Sequence, residues 1–386
     1  MAGIHGTVSK GFERVRDAFE ANFRENGEVG AAFCLHVKSR KVVDLWGGET
    51  DKGKNGRRWK EDTPVVVFST TKGAAAICAA MLIDRKLLDP DAPVTKYWPE
   101  FAQNGKEKLP VKMLLNHKAG LPVVDARLTR EQVLQVMPVV EALAAQAPVW
   151  PPGTKHGYHA LTYGWLVGEL VRRITGKSLG RFFKEEVAEP LDLDFWIGLP
   201  AELEPRVARL VTAPPPTDPA ILQQMAALFG PDSLAGRALS LNGAMTGEPG
   251  DTPFNSPDVH RSEIPAANGI TTARSLSRLY AACIGTVKGT RLFGKRTLDK
   301  MIKIHSDGPD AVLGLRTTFG LGFMRTGPDI ALLGPNSFGH AGAGGSLGFG
   351  DFDSGVAFGY VMNQMGGGLL IDTRAARLIA AVKECL

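Results

Sequence analysis

The sequence predicts an α/β (α+β) fold, with a sheet domain closed by both ends of the chain and a mainly helical domain inserted between them. Segments rich in β-branched and aromatic residues crowd both ends, and helical periodicity dominates the middle. With 386 residues, 44% hydrophobic and 22% charged, the chain also has enough apolar material for a large core. The sheet domain is expected to comprise 1–67 and 265–386, and the helical domain 68–264.

From the N-terminus, residues 8–26 predict an amphipathic helix, because Phe12, Val15, Phe19 and Phe23 recur at helical spacing. Residues 31–37 and 42–46 predict two strands of a hairpin joined by the polar Lys38-Ser39-Arg40-Lys41. A strand over 65–68 leads into Ser69, and a helix over 74–88 stops at Asp89-Pro90. Helical patterns follow at 111–117, 130–145, 159–174 and 178–187. Between 199 and 261 the pattern weakens, with Pro214-Pro215-Pro216, several glycines and one helical stretch, 220–229. A segment this long and irregular reads as a lid or pocket wall, with a disordered linker as the alternative. A helix over 273–285, strands over 318–324, 337–340, 346–351 and 356–363, and a helix over 371–385 complete the chain.

Composition excludes several classes of function. The net charge of +5 is modest, and its one local cluster, Lys52, Arg57, Arg58 and Lys60, sits in a Gly- and Asn-containing stretch expected to be a solvated hairpin loop. Nucleic acid would require a larger basic face with interleaved aromatics. The longest apolar run, 74–83, is about half the roughly 20 residues that a membrane-spanning helix needs. Residues 1–14 lack a signal-peptide core, so the expected location is the cytoplasm. Cys34, Cys78, Cys283 and Cys385 lack metal-type spacing and are expected to be buried free thiols. His156 and His159 have no third ligand at zincin or zinc-finger spacing, and no complete G-x-G-x-x-G or P-loop occurs. No metal or cofactor is expected.

The chemistry centres on Ser69-Thr70-Thr71-Lys72. A serine hydroxyl is a poor nucleophile without a base in reach, and residues three apart at a helix start share one face. The helix N-terminus adds free backbone N–H groups for developing negative charge. The same four residues also describe a capped helix start with a solvent-facing lysine. Two further segments carry related chemistry. The turn from Pro151 to Ala160 delivers Tyr158 ahead of a helix, and His340-Ala341-Gly342-Ala343-Gly344-Gly345 is a Gly-rich strand whose backbone a ligand can approach closely.

In order, these three segments resemble the serine β-lactamase and penicillin-binding-protein superfamily, in particular the class C β-lactamase-like carboxylesterases called family VIII. Ser69 to Lys72 fits S-x-x-K, Tyr158 the tyrosine of Y-x-N, and His340-Ala341-Gly342 the K-T-G or H-T-G segment. Phe68 to Gly73, Leu114 to Pro122 and Phe338 to Gly348 look like family segments too, so the resemblance covers nearly the whole chain. It implies a β-lactamase-like fold with a central antiparallel sheet flanked by N- and C-terminal helices. It also implies hydrolysis of short acyl esters through a Ser69 acyl-enzyme, with Lys72 and Tyr158 as general base and acid in unassigned order. The oxyanion hole would be the amides of Ser69 and Ala343, and His340, Ala341, Gly342 and Ala160 would line the substrate site.

The departures from the pattern matter. Ala160 stands where β-lactamases have Asn, and Ala341 where they have Thr, which favours esters over β-lactams and leaves room for a weak β-lactamase side activity. His340 in place of Lys is expected to carry a charge that varies with pH. Ser346 and Ser178 both sit in G-x-S-x-G, but no histidine follows Ser346 and Ser178 follows a helix, so both are read as decoys. The alternatives are a β-lactamase, a D-Ala-D-Ala peptidase or an acyltransferase on this fold, and a catalytically silent binding protein. The expected partner is a small-molecule ester, without nucleic acid or membrane and with no assigned oligomeric state.

Overall fold

A computed structural model of the chain describes residues 3–386 apart from 54–55, 214–215, 249 and 369. Pro214 and Pro215 of the expected wall, Lys54 and Asn55 of the basic loop, and the first two residues thus lie outside the described residues.

The early hairpin is β2 (Gly30–Val37) and β3 (Arg40–Gly48), turned by Lys38 and Ser39 at φ 46° and 63°. Consecutive positive φ values give a turn whose twist suits the strands it joins. On the outer edge of β3 lies β1 (Ile4–Val8), a strand that the sequence does not predict and that takes Val8 from the start of the expected helix. Gly11 at φ 94° breaks the chain there, and the helix starts at Glu13.

Three two-residue strands, β4 (Val65–Val66), β5 (Phe195–Trp196) and β6 (Ile270–Thr271), form a small sheet in the order β4-β6-β5. The C-terminal part adds β7 (Ser306–Pro309), β8 (Arg316–Phe319), β9 (Met324–Arg325), β10 (Ser337–Ala341), β11 (Leu347–Asp351) and β12 (Val356–Met362). Among the described residues the large sheet runs β1-β3-β2-β12-β11-β10-β9-β8-β7, antiparallel throughout. The β2–β12 pairing, from Ala31↔Met362 to Val37↔Val356, joins the two ends of the chain at the middle of the sheet.

Alternation along these central strands assigns their faces. Ala32 and Cys34 of β2 with Ala357 and Val361 of β12 belong to the core shared with the Ala273–Ile284 helix. Phe33, Leu35, Phe358 and Tyr360 belong to the core under the terminal helices Glu13–Glu25 and Thr373–Glu384. Each of these two strands is therefore covered on both sides, and the helices enclose the sheet.

Several element ends differ from the sequence expectation, each for a local reason. The helix over 74–88 is Thr71–Asp84, because Lys86 at φ 60° turns the chain so that Leu87 and Leu88 N–H return to Leu82 O. The helix over 130–145 is two, Arg130–Leu134 and Met137–Ala145, split at Val136 (φ 69°) with Pro138 opening the second. The strand over 318–324 is also two, β8 and β9, reversed through Gly322 at φ 84°. Helices Leu234–Ser240 and Lys295–Ile302 and strand β7 were not anticipated.

Two points of the 199–261 segment pack beside the site: Val211 N–H bonds Asn363 O and Met365 N–H bonds Val211 O, and Phe254 lies edge-on to Phe68 with ring centroids 5.0 Å apart. The basic stretch after β3 does turn back on itself, with Thr50 N–H bonding Arg57 O. Cys34, Cys78 and Cys283 are buried free thiols, whereas Cys385, at the end of the last helix, is half-exposed. No helix among the described residues is long and apolar enough to cross a membrane.

Candidate active site

From Thr63 to Leu82 every residue is buried except Ser69. Ser69 reaches the cleft because Phe68 leaves β4 at φ 43°, a left-handed backbone that a bulky residue adopts only when its surroundings hold it there. Those surroundings are specific. Val67 O accepts from Thr70 N–H at 3.1 Å and from the Ser346 hydroxyl at 2.8 Å, and Phe68 O accepts from the Thr71 hydroxyl at 2.5 Å. Ser69 lies in the tight turn Phe68–Thr70 that runs into the Thr71–Asp84 helix, and neither element has a side-chain N-cap. Ser69 is therefore not capping the helix. Its hydroxyl lies 3.1 Å from Lys72 Nζ.

Lys72 is fully buried and has no carboxylate in reach among the described residues. Its amine donates to Ala160 O at 2.6 Å and to Ala266 O at 3.0 Å. A carbonyl can only accept, so both N–H bonds of a neutral amine are committed to these two oxygens, and its lone pair is left facing Ser69 Oγ. Burial, with no negative charge to offset it, holds the lysine well below its usual range, which favours that neutral form.

Tyr158 is brought to the site by the turn before the Thr162–Thr175 helix, and its backbone N–H bonds the buried carboxylate of Asp310 at 2.9 Å. Asp310 also accepts from Val312 and Leu313 N–H and from the Thr317 hydroxyl, so the anchor is itself fixed. The ring stacks on Phe319, lies 5.2 Å from the His117 ring, and has Lys72 Nζ 4.7 Å from its centroid. Burial raises the phenol above its ordinary value, with the Ser69 hydroxyl beside it pulling the other way.

The third segment ends β10. From Ser337 to Asp351 every residue is buried except Ala343, which mirrors the single opening at Ser69. Gly342 closes the distance between the two: a Cβ there would lie 2.2 Å from Val67 O and from Ser346 Oγ, so only glycine lets the strand end meet the Ser69 turn. The neighbouring amides are engaged, with Thr70 N–H on Val67 O, Gly342 N–H on Ser346 O, Gly344 N–H on Gly368 O and Gly345 N–H on Gly342 O. Among the described residues, the amides of Ser69 and Ala343 have no such backbone acceptor.

The other expected lining residues sit deeper. Ala160 and Ala341 are buried, their carbonyls accepting from Lys72 and from His340 Nδ1. Gly342 is also buried. His340 departs from the expected pH-variable charge: it is buried, and burial together with Lys72 holds its pKa down at about 3, so the ring is neutral near neutral pH. Its Nδ1 proton is used on Ala341 O, and its buried Nε2 has no partner among the described residues. Ser346 is buried and ties Val67 O to Thr70, while Ser178 caps the Leu179–Phe183 helix and bonds Glu263. Asp310 and the carbonyls of Ala160 and Ala266 were not foreseen. Backbone oxygens leave no trace in a sequence, and nothing distinguishes Asp310 from other loop aspartates until the fold sets it under Tyr158. Among the described residues no cluster of side chains could hold a metal ion.

The sequence profile of the family described as Beta-lactamase matches residues 15–381. The chain is 36% identical over 368 residues to "Esterase/beta-lactamase LipL" of Mycobacterium tuberculosis (strain ATCC 25618 / H37Rv), covering 94% of this chain and 83% of that protein. Among solved structures, a family VIII carboxylesterase superposes with a TM-score of 0.89 at 37% identity over 100% of both chains. A penicillin-binding protein homolog from Caulobacter crescentus superposes with a TM-score of 0.86, also at 37% identity over 100% of both.

Proposed function

The chain belongs to the beta-lactamase family, and from that membership we propose that it is a serine carboxylesterase that hydrolyses short-chain acyl esters through a Ser69 acyl-enzyme. The relatives named as esterase and carboxylesterase support the reaction class. The observation that carries the mechanism is the bonding of Lys72, whose Nζ lies 3.1 Å from Ser69 Oγ while the carbonyls of Ala160 and Ala266 accept from it, so that in the neutral amine the lone pair is what remains for the hydroxyl.

The environments push the two candidate proton carriers apart, the lysine down and the phenol up, and groups separated in this way divide the roles of base and acid. Lys72 takes the Ser69 proton as Oγ attacks the ester carbonyl carbon. The oxyanion forms against the amides of Ser69 and Ala343, each worth about 3 kcal/mol in a water-excluded site. As the tetrahedral species collapses, the departing alkoxide takes a proton from the Tyr158 phenol, which the protonated lysine restores. Water then attacks the acyl-enzyme carbonyl with Lys72 again as base, and the protonated lysine returns that proton to Ser69 Oγ as the acid leaves. His340, neutral and buried, contributes shape and no charge. Phe254, packed edge-on to Phe68, and Val211, bonded to the 363–365 turn, lie beside the site. Missing Asn and Thr side chains at Ala160 and Ala341 limit β-lactam turnover to a weak side activity.

The reading is tested with p-nitrophenyl esters of short and long chains and a cephalosporin, each reaction quenched in acid and the protein digested for mass spectrometry. Faster release from short esters and an acyl adduct on the peptide holding Ser69 are expected. No turnover of any ester and no adduct would leave a binding protein on this fold as the better account.

Tyr158→Phe separates the acid from the base. Ethyl esters, whose alkoxide needs a proton to leave, should lose about 10²-fold or more in kcat, and p-nitrophenyl esters less than about 10-fold. Equal losses on both substrates would remove Tyr158 as the proton donor.

A further inference from the structure

Behind the proposed oxyanion amide lies a buried cation that the mechanism above does not use. Arg374, in the first turn of the last helix, is 3% exposed and folds its guanidinium back toward the Gly-rich loop. All five of its N–H groups are engaged. Nε and Nη2 donate to Asp372 Oδ2 at 2.8 and 2.6 Å, and Nη1 donates to Glu28 Oε1 at 2.9 Å. The remaining two go to backbone carbonyls of two different loops, Gly344 O at 2.5 Å and Gln364 O at 2.8 Å. Glu28 is held in turn by the Tyr360 phenol, which donates to Oε2.

Gly344 O also accepts from Gly366 N–H at 2.9 Å, while Gly344 N–H bonds Gly368 O at 3.1 Å. The 343–344 peptide is thus held through Gly344 N–H and the 344–345 peptide through Gly344 O, while the 342–343 peptide that carries Ala343 N–H is held through Gly342 O, which accepts from Gly345 N–H; among the described residues Ala343 N–H has no backbone acceptor. Contact is tight: Gly345 has φ 126°, and a Cβ there would lie 2.4 Å from Asp372 Oδ2 and 2.8 Å from Arg374 Nη2. An arginine desolvated to this extent is costly, and two carboxylates alone would neutralise it without the loop carbonyls. Its planar fork makes it suited to cross-linking 344 and 364 at fixed geometry, which a lysine's single ammonium cannot reproduce.

We propose that Arg374 is a positioning residue for the reaction: by clamping the carbonyls of Gly344 and Gln364 it fixes the Ala343 amide where the oxyanion forms, with Glu28, Asp372 and Tyr360 holding the guanidinium in register. This inference rests on the acyl-enzyme reading. Misplacing one oxyanion donor by a fraction of an ångström costs transition-state binding and spares ground-state binding, so the effect belongs in kcat.

The test compares the full-length wild type with Arg374→Lys and Glu28→Gln by ester kinetics and by amide hydrogen exchange of the peptide covering 342–346. For Arg374→Lys the expected result is a kcat lower by about 10- to 100-fold with KM within about twofold, and faster exchange over 342–346, at a thermal midpoint where the protein is still folded. Glu28→Gln, which keeps the fork on both carbonyls and loosens one support, should show the same two changes at smaller size. Unchanged exchange in Arg374→Lys overturns the inference whatever the kinetics show. Faster exchange with unchanged kcat overturns it as well, because the clamp would then be structural only. If wild type and Ser69→Ala turn over ester equally, the acyl-enzyme reading is the part that has failed, and the exchange result still decides whether Arg374 holds the loop.

Discussion

Ser69→Ala should lower ester turnover by about 10⁴-fold or more and abolish the acyl adduct, with binding of a product-like acid little changed. The size follows from the division of labour: the alanine variant keeps the Ser69 and Ala343 amides and the wall, but has no oxygen for Lys72 to activate. What remains is the modest acceleration that oxyanion donors give to direct attack by water. The substitution adds no volume at a half-buried position and breaks no cap, since Ser69 makes none, so the thermal midpoint should stay near that of wild type. Ser346→Ala is the matching control. It removes a hydroxyl bonded to Val67 O and Thr70, which should cost on the order of 1 kcal/mol in denaturant unfolding while leaving the adduct on Ser69. Full turnover in Ser69→Ala together with its loss in Ser346→Ala would reverse the assignment.

Lys72→Met should lower kcat by about 10⁴-fold, and it should also change the shape of the pH profile. On the proposed mechanism the working form is the neutral amine, which predominates above the lysine's pKa. Burial moves that pKa down, so turnover should climb with pH and level off well below the range in which an ordinary lysine loses its proton. That acid limb should vanish in Lys72→Met, leaving a low, flat rate. A limb that persists in the variant would assign it to another group and remove Lys72 as the base. The variant also leaves Ala160 O and Ala266 O buried without a donor, at a cost of about 1–3 kcal/mol each, so unfolding should be measured alongside.

The parts of this site visible in the sequence are those whose chemistry lies in the side chain. Ser69, Lys72 and Tyr158 are unusual together and in order, so they can be read before any fold is known. The groups that decide what Lys72 does are carbonyls of two alanines, Ala160 and Ala266, and every residue carries a carbonyl. Arg374 was unreadable for a related reason: its meaning depends on Gly344, 30 positions away, and on Glu28, 346 positions away. The charge of His340 was misjudged because a sequence shows the residue and not its burial.

The fold was legible where apolar periodicity is strong, as in the helices Thr162–Thr175 and Ala273–Ile284 and the strands on either side of the β2–β12 seam. Boundaries moved where one backbone angle overrides the pattern, at Gly11, Lys86 and Val136. The short edge strand β1 left no clear pattern, because its five residues, Ile4 to Val8, include only two apolar ones and none is fully buried. The division into a 1–67 and 265–386 sheet domain and a 68–264 helical domain remains our proposal for how the chain is partitioned.

The seam between β2 and β12 also bears on how this chain comes to be folded. Val37 faces Val356, so this inner pairing of the sheet cannot close until the chain through Met362 has left the ribosome. Until then the β1-β3-β2 unit carries β2 as an open edge whose residues from Gly30 to His36 are all destined for burial. Loop closure over such a span makes the final pairing slow, and the waiting strand is the segment most exposed to pairing with another copy. Nascent chains halted before β12 should therefore depend on chaperones to stay soluble, while release of the last strand and its helix completes the sheet and seats Arg374 behind the Gly-rich loop in the same step.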